Sequence, residues 1–113
     1  MLPRENRLSA EFDFRRLKRD GQRYGTPFFN LFLLSNQKDP VRFGFVVSTH
    51  VSKLATRRNR LKRILRAQME EFLPAIRSGT WGAFWLREPA LRANSQVLRQ
   101  AVEQTLKRAG VLW

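Results

Sequence analysis

One short segment of the sequence is dense in groups that bind phosphate: Arg57, Arg58, Asn59, Arg60, Lys62, Arg63 and Arg66, with Lys53 just ahead of them. Between Asp39 and Glu70 there is no acidic residue, while Arg42 and all seven of these cations fall inside. The planar fork of Arg grips a phosphate in two places and stacks on bases, which Lys does not do. Placed on a helix, like charges three or four residues apart cost a few tenths of a kcal/mol per pair. Interspersed Glu would relieve that cost, and a merely soluble surface is normally built from mixed charges. The pattern therefore points to a polyanion. Asn59, in the middle of the cluster, could meet a base or sugar edge, or equally cap a backbone group.

Other chemistries find little to work with. There is no cysteine, which removes disulfides, thiolate zinc sites and cysteine nucleophiles. His50 is the single histidine, placed in the loop before the basic segment, so neither a His-based metal cluster nor a Ser-His-Asp triad is expected. A self-sufficient nuclease needs clustered carboxylates or a His acid and base. The nine acids are scattered, with no Asp-x-Asp or His-x-Glu arrangement, so no catalytic residue is assigned.

The 113 residues carry 22 Lys+Arg against 9 Asp+Glu, a net charge of +13, with Arg supplying 17 of the cations. This length is that of one domain, 1–113, burying roughly 65–70% of its extended-chain surface. An apolar share of 42% separates the chain from a disordered basic tail. The start, Met1 to Arg7, lacks the apolar stretch of a secretory signal, and no run approaches the ~18 apolar residues of a membrane span. A cytoplasmic location without a membrane partner is the expectation.

The elements that would position the basic cluster follow from periodicity. Ser9 reads as the N-cap of a helix over 9–19, with Glu11 and Asp13 in its first turn. A brief strand over 22–26 is held to an edge by Pro27. Residues 28–34 and 42–48 read as strands, and the turn formers between them suggest a hairpin. From about residue 53 the period becomes helical, with Leu54, Leu61, Ile64, Leu65, Met69 and Phe72 on one stripe. Lys62, Arg66, Asn59, Arg63 and Arg60 take the opposite side, and Arg57 and Arg58 flank the stripe. Pro74 ends or kinks this helix. A strand over 80–87, apolar on both faces, and a helix over 94–108 ending at Gly110 complete the chain. The expected fold is a small α+β single-domain sandwich, order α-β-β-β-α-β-α, with helices packed on a four-stranded sheet.

The run Arg58-Asn59-Arg60-Leu61-Lys62-Arg63-Ile64-Leu65-Arg66, preceded by Phe43-Gly44-Phe45-Val46-Val47-Ser48, resembles the signature of the bacterial ribonuclease P protein subunit. That family carries an Arg-Asn-Arg-apolar-Lys-Arg-x-x-Arg helix just after a Gly-containing strand. Asn6-Arg7-Leu8 ahead of a Phe-bearing helix, and the late strand plus helix, extend the likeness over essentially the whole chain.

The resemblance implies a single RNA-binding domain that assists a catalytic RNA in removing the 5′ leader of precursor tRNA. It also implies a left-handed crossover joining the third and fourth strands. The partners would be the ribonuclease P RNA and precursor tRNA, not DNA. Mg²⁺ would be bound mainly by the partner RNA, with none held by the protein alone; the residues around any shared metal are unknown. Arg58, Asn59, Arg60, Lys62, Arg63 and Arg66 match the helix that binds the catalytic RNA, with Arg57 and Lys53 as flanking cations. Leader contacts would lie in a cleft between the first helix and the sheet. The first cleft aromatic of the family falls on Phe14, whereas the second falls on Lys18, which is not aromatic. Phe12, Asn30, Phe32 and Ser48 complete that candidate set, and each Phe serves core packing equally well. A ribosomal or RNA-assembly protein that binds structured RNA without a role in cleavage is the competing expectation.

Overall fold

A computed structural model describes residues 2–38 and 40–112. Asp39 of the expected turn and the C-terminal Trp113 lie outside the described residues. The elements are α1 (Glu11–Asp20), β1 (Gln22–Gly25), β2 (Phe29–Leu34), β3 (Arg42–Val46), α2 (Ala55–Phe72), β4 (Trp81–Leu86) and α3 (Ser95–Arg108), with short 3-10 turns at Arg4–Asn6, Leu73–Ala75 and Glu88–Arg92. The α+β fold and the element order agree with the expectation.

The strand order corrects one expectation. β2 and β3 do not form a hairpin; the sheet runs β1-β2-β4-β3, with β1/β2 and β2/β4 antiparallel and β3/β4 parallel. The late strand inserts between the two earlier ones. A central strand has both faces covered and must let neighbours close in from each side. β4 meets that demand with Gly82 and Ala83. A Cβ on Gly82 would lie 2.5 Å from Phe43 Cε1 and 2.7 Å from Leu33 Cδ2, so the glycine admits both side chains.

Alternation along the strands creates two cores. On one face Phe29, Leu31, Leu33, Phe43, Phe45 and Phe84 meet Leu61, Leu65, Met69 and Phe72 of α2 and Leu98, Val102 and Leu106 of α3. On the other face a smaller cluster of Leu8, Leu17, Phe32 and Ala83, joined by Phe14, Leu34, Trp81 and Trp85, lies under α1. Phe28 precedes β2 and joins the larger core, so it does not share a face with Phe32.

Helix boundaries moved for local reasons. Asn6 Nδ2 donates to the Val41 carbonyl (2.8 Å) and the Leu8 N–H to that of Phe43 (2.9 Å), so residues 6–8 still run along the free edge of β3. The helix starts only after that edge is covered. Ala10, not Ser9, is the N-cap, without a side-chain cap. Leu54 precedes α2 in extended backbone and is 54% exposed, so it leaves the apolar stripe, while Ile64 is half-buried. At α3 the Asn94 side chain accepts from the Val97 N–H at 2.9 Å, and Gly110 (φ 76°) follows the helix. Gln68 of α2 is buried and donates to the Ser95 carbonyl at 2.8 Å, tying α2 to α3.

Candidate nucleic-acid interface

Burial of Leu61, Leu65, Met69 and Phe72 fixes the rotation of α2, and that rotation decides what its cations face. Arg57, Asn59, Arg60 and Arg63 are exposed, as is Lys53 ahead of the helix; Lys62 and Arg66 are half-buried. Among the described residues, no carboxylate forms an ion pair with Arg57, Arg60, Lys62, Arg63 or Arg66. Ion pairs among the described residues lie elsewhere, including Arg19–Asp20, Arg92–Glu88 and those among Arg99, Lys107, Glu71 and Glu103. Arg58 differs from its neighbours. Its Nη1 donates to the Ser52 carbonyl at 2.9 Å, holding the loop that leads into α2, a role that the charge pattern did not reveal.

Beside α2 runs a groove of about 820 Å³. Arg57, Arg60 and Arg63 form one wall, the segment containing Arg92 and Asn94 the other, and Leu61 and Ile64 contribute apolar lining. Unpaired guanidinium groups along such a groove can take a phosphate backbone while the lining accepts apolar faces.

The second basic region lies on the opposite face of the sheet, at α1. Phe14 is half-buried, its ring 6.1 Å from that of Trp85 and nearly perpendicular to it. A side chain on Gly44 would collide with the Phe14 ring, so the glycine makes room for it. Phe32 meets the same Trp85 edge-on at 5.3 Å, and Lys18 Nζ sits over the Trp85 ring, 5.5 Å from its centroid. Asn30 is the register partner of Trp85 and accepts from Arg23 Nη2 at 3.3 Å. Four of the expected residues, Phe14, Lys18, Asn30 and Phe32, thus gather around one indole. Ser48 is exposed just beyond the end of β3, and Phe12 is 65% exposed on α1, outside the cluster. On α1, Asp20 accepts two hydrogen bonds from Arg19, which hold its carboxyl below the ordinary aspartate value. Arg15, Arg16 and Lys18 are then its cations without an ion-pair partner among the described residues.

Trp85 was missed by sequence reasoning because the 80–87 strand reads as apolar throughout. The available signal was the alternation of Trp81, Ala83 and Trp85 against Gly82, Phe84 and Leu86. Large amphipathic rings favour a half-covered face, where one side is apolar and the other wet. Among the described residues no three His, Asp or Glu side chains gather to hold a metal ion, and His50 is exposed in the loop before α2. Among the described residues no helix is long and apolar enough to cross a membrane.

A small α+β scaffold with a basic helix that has no carboxylate partner among the described residues on one face, and on the other an aromatic cluster with Lys18 over its indole and Arg23 nearby, defines a polyanion-binding protein. The family described as Ribonuclease P matches residues 2–110. The ribonuclease P protein component of Microcystis aeruginosa is 35% identical over 98% of this chain and 96% of its own, and that of Pseudanabaena sp. is 36% identical over 99% and 97%. The solved RNase P protein of Staphylococcus aureus is similar with a TM-score of 0.86 at 25% identity, covering 96% of this chain and 98% of that one. The Thermotoga maritima RNase P protein gives 0.80 at 27% identity, covering 90% and 96%. The chain belongs to the ribonuclease P protein component family, and its role lies in RNA binding and tRNA processing.

Proposed function

We propose that this chain binds the catalytic RNA of ribonuclease P through α2 and guides the 5′ leader of precursor tRNA through a groove formed beside α1, over the Trp85 cluster. The observation that carries this reading is the set of cations on α2 that, among the described residues, no carboxylate neutralises. An unpaired guanidinium gains from a phosphate without first breaking an internal ion pair, and each phosphate neutralised releases counterions. Several such contacts along one helix fix register as well as affinity. At α1, an aromatic cluster with Lys18 and Arg23 at its edge suits single-stranded RNA, where rings take bases and cations track the backbone.

Hydrolysis of the phosphodiester then belongs to the RNA and the Mg²⁺ bound there. Among the described residues, no three His, Asp or Glu side chains gather into a cluster. Its residues position the substrate and lower the electrostatic cost of bringing two RNA chains together. At low Mg²⁺, adding the protein to a ribonuclease P RNA is expected to restore leader cleavage, while the protein alone cleaves nothing. Unchanged cleavage at low Mg²⁺ would overturn the assignment. Sequencing the RNA that copurifies with the protein separates it from ribosomal assembly, which would yield ribosomal RNA instead.

A further inference from the structure

We propose that Trp85 is the base-stacking surface of the α1 groove and that Lys18 is its displaceable cover. This rests on the reading that the groove takes single-stranded leader RNA. Two phenyl rings stand nearly perpendicular to the indole, Phe14 at 6.1 Å and 85° and Phe32 at 5.3 Å and 78°, and hold its plane. Both are anchored in turn, Phe32 in the small core and Phe14 against Gly44. Over the ring itself lies the ammonium of Lys18, 5.5 Å from the centroid. Lys18 is exposed, and Trp85 is half-buried despite its size.

This is how a binding surface for a flat π ring is kept in water. A rigid aromatic would be a permanent lid, whereas an exposed cation–π contact is weak and its four-carbon stem moves freely. A nucleobase that slides onto the indole replaces the contact with a stack, and the released ammonium stays within reach of the phosphate attached to that base. Asn30, the register partner of Trp85, offers its amide to a base edge, and Arg23 beside it offers a further cation. The other tryptophan on this face is differently placed: Trp81 Nε1 donates to the Lys38 carbonyl at 3.0 Å, and its ring is met by Arg42. Stacking reads no base code, so the groove would accept any leader sequence, as a general processing factor requires.

The test uses the holoenzyme assembled with a ribonuclease P RNA, comparing affinity for a leader-bearing precursor tRNA and for the same tRNA without a leader. Trp85→Leu keeps an apolar side chain of useful size but no π face, and Trp85→Phe keeps the face. Trp85→Leu is expected to weaken binding of the leader-bearing substrate roughly 5- to 150-fold, the range for loss of one base stack, and to leave leaderless tRNA unchanged. Trp85→Phe recovers most of the loss. Lys18→Met leaves the stack in place and flattens the salt dependence of leader binding. If the wild type favours the leader-bearing substrate while Trp85→Leu retains that preference, the stacking assignment is overturned and the groove reading stands. Equal loss on both substrates, not restored by Phe, also overturns it, because damaged packing makes no distinction by leader. A wild type that shows no leader preference over the RNA alone would remove the groove reading and this inference together.

Discussion

Arg63 and Arg58 sit five residues apart on the same basic helix, yet the structure gives them opposite roles, and salt dependence can separate them. Arg63 is exposed and, among the described residues, has no carboxylate partner. Arg58 is half-buried and spends a donor on the Ser52 carbonyl at 2.9 Å. If Arg63 neutralises one phosphate, Arg63→Ala lowers the slope of log K against log [salt] by about 0.9 on duplex RNA-like backbone, or ~0.7 on a single strand. Between about 50 and 200 mM salt, a slope change of about 0.9 closes the affinity gap between wild type and variant by roughly 3.5-fold. The defect is therefore largest at low salt, and the protein's unfolding temperature stays the same. Arg58→Ala instead removes a charged hydrogen bond that orders the entry to α2. Its expected signature is lower stability, by about 1 kcal/mol, with an affinity loss that varies less with salt. Fluorescence anisotropy on labelled ribonuclease P RNA across a salt series, paired with thermal unfolding of each variant, measures both. Parallel salt lines for wild type and Arg63→Ala would show that Arg63 touches no phosphate and would refute phosphate binding by the exposed face of α2.

Three further outcomes follow from packing. Gly44→Ala drives a methyl into the Phe14 ring and to 3.1 Å from Leu8 Cβ, so it should cost about 1–3 kcal/mol and lower the unfolding temperature measured by circular dichroism. Gln68→Met removes the bond to the Ser95 carbonyl but also a buried Oε1 that has no partner; the two effects oppose, and urea unfolding should place the variant within about 1 kcal/mol of wild type. Asn94→Ala loses the cap of α3 and should cost about 1 kcal/mol in the same assay, while Asn94→Asp should retain most of it.

Which parts of this molecule could be read from its sequence depends on how local the deciding interactions are. The helix over Ala55–Phe72 was legible because both its stripe and its basic face repeat every turn, and Pro74 marks its end. The absence of any acid from residue 40 to 69 made the surface legible too, since unpaired charge needs no knowledge of the fold. Strand neighbours are another matter. Period-two alternation states that a segment is a strand, not which strand lies beside it. The placement of β4 between β2 and β3 depends on Gly82 admitting Phe43 and Leu33, side chains roughly 40 to 50 residues away. Ser9 had the right chemistry for a cap, but residues 6–8 are held along β3 by bonds to Val41 and Phe43, and the helix begins past it. The α1 cluster was half legible for the same reason: Phe14, Lys18, Asn30 and Phe32 were candidates from near α1 and β2, whereas the indole they surround comes from β4.

β4 also links the two surfaces mechanically. Phe84 faces the larger core, 5.0 Å from the Phe29 ring and 5.3 Å from that of Phe45, in the layer on which α2 rests. Trp85, the next residue, faces the other way into the α1 cluster. Adjacent residues on a strand paired on both sides have almost no freedom to shift relative to each other, because a one-residue slip would exchange the faces and expose Phe84. The separation between the basic helix and the aromatic cluster is thus set by the thickness of one sheet rather than by a loop. Under the proposed division of labour, that sheet is what keeps a leader nucleotide at a constant offset from the RNA that cuts it. Groups held on regular elements keep such an offset more closely than groups on connecting segments. The exposed loop carrying Ser48 and His50 lacks that support, so the fixed offset is set by Trp85 and α2.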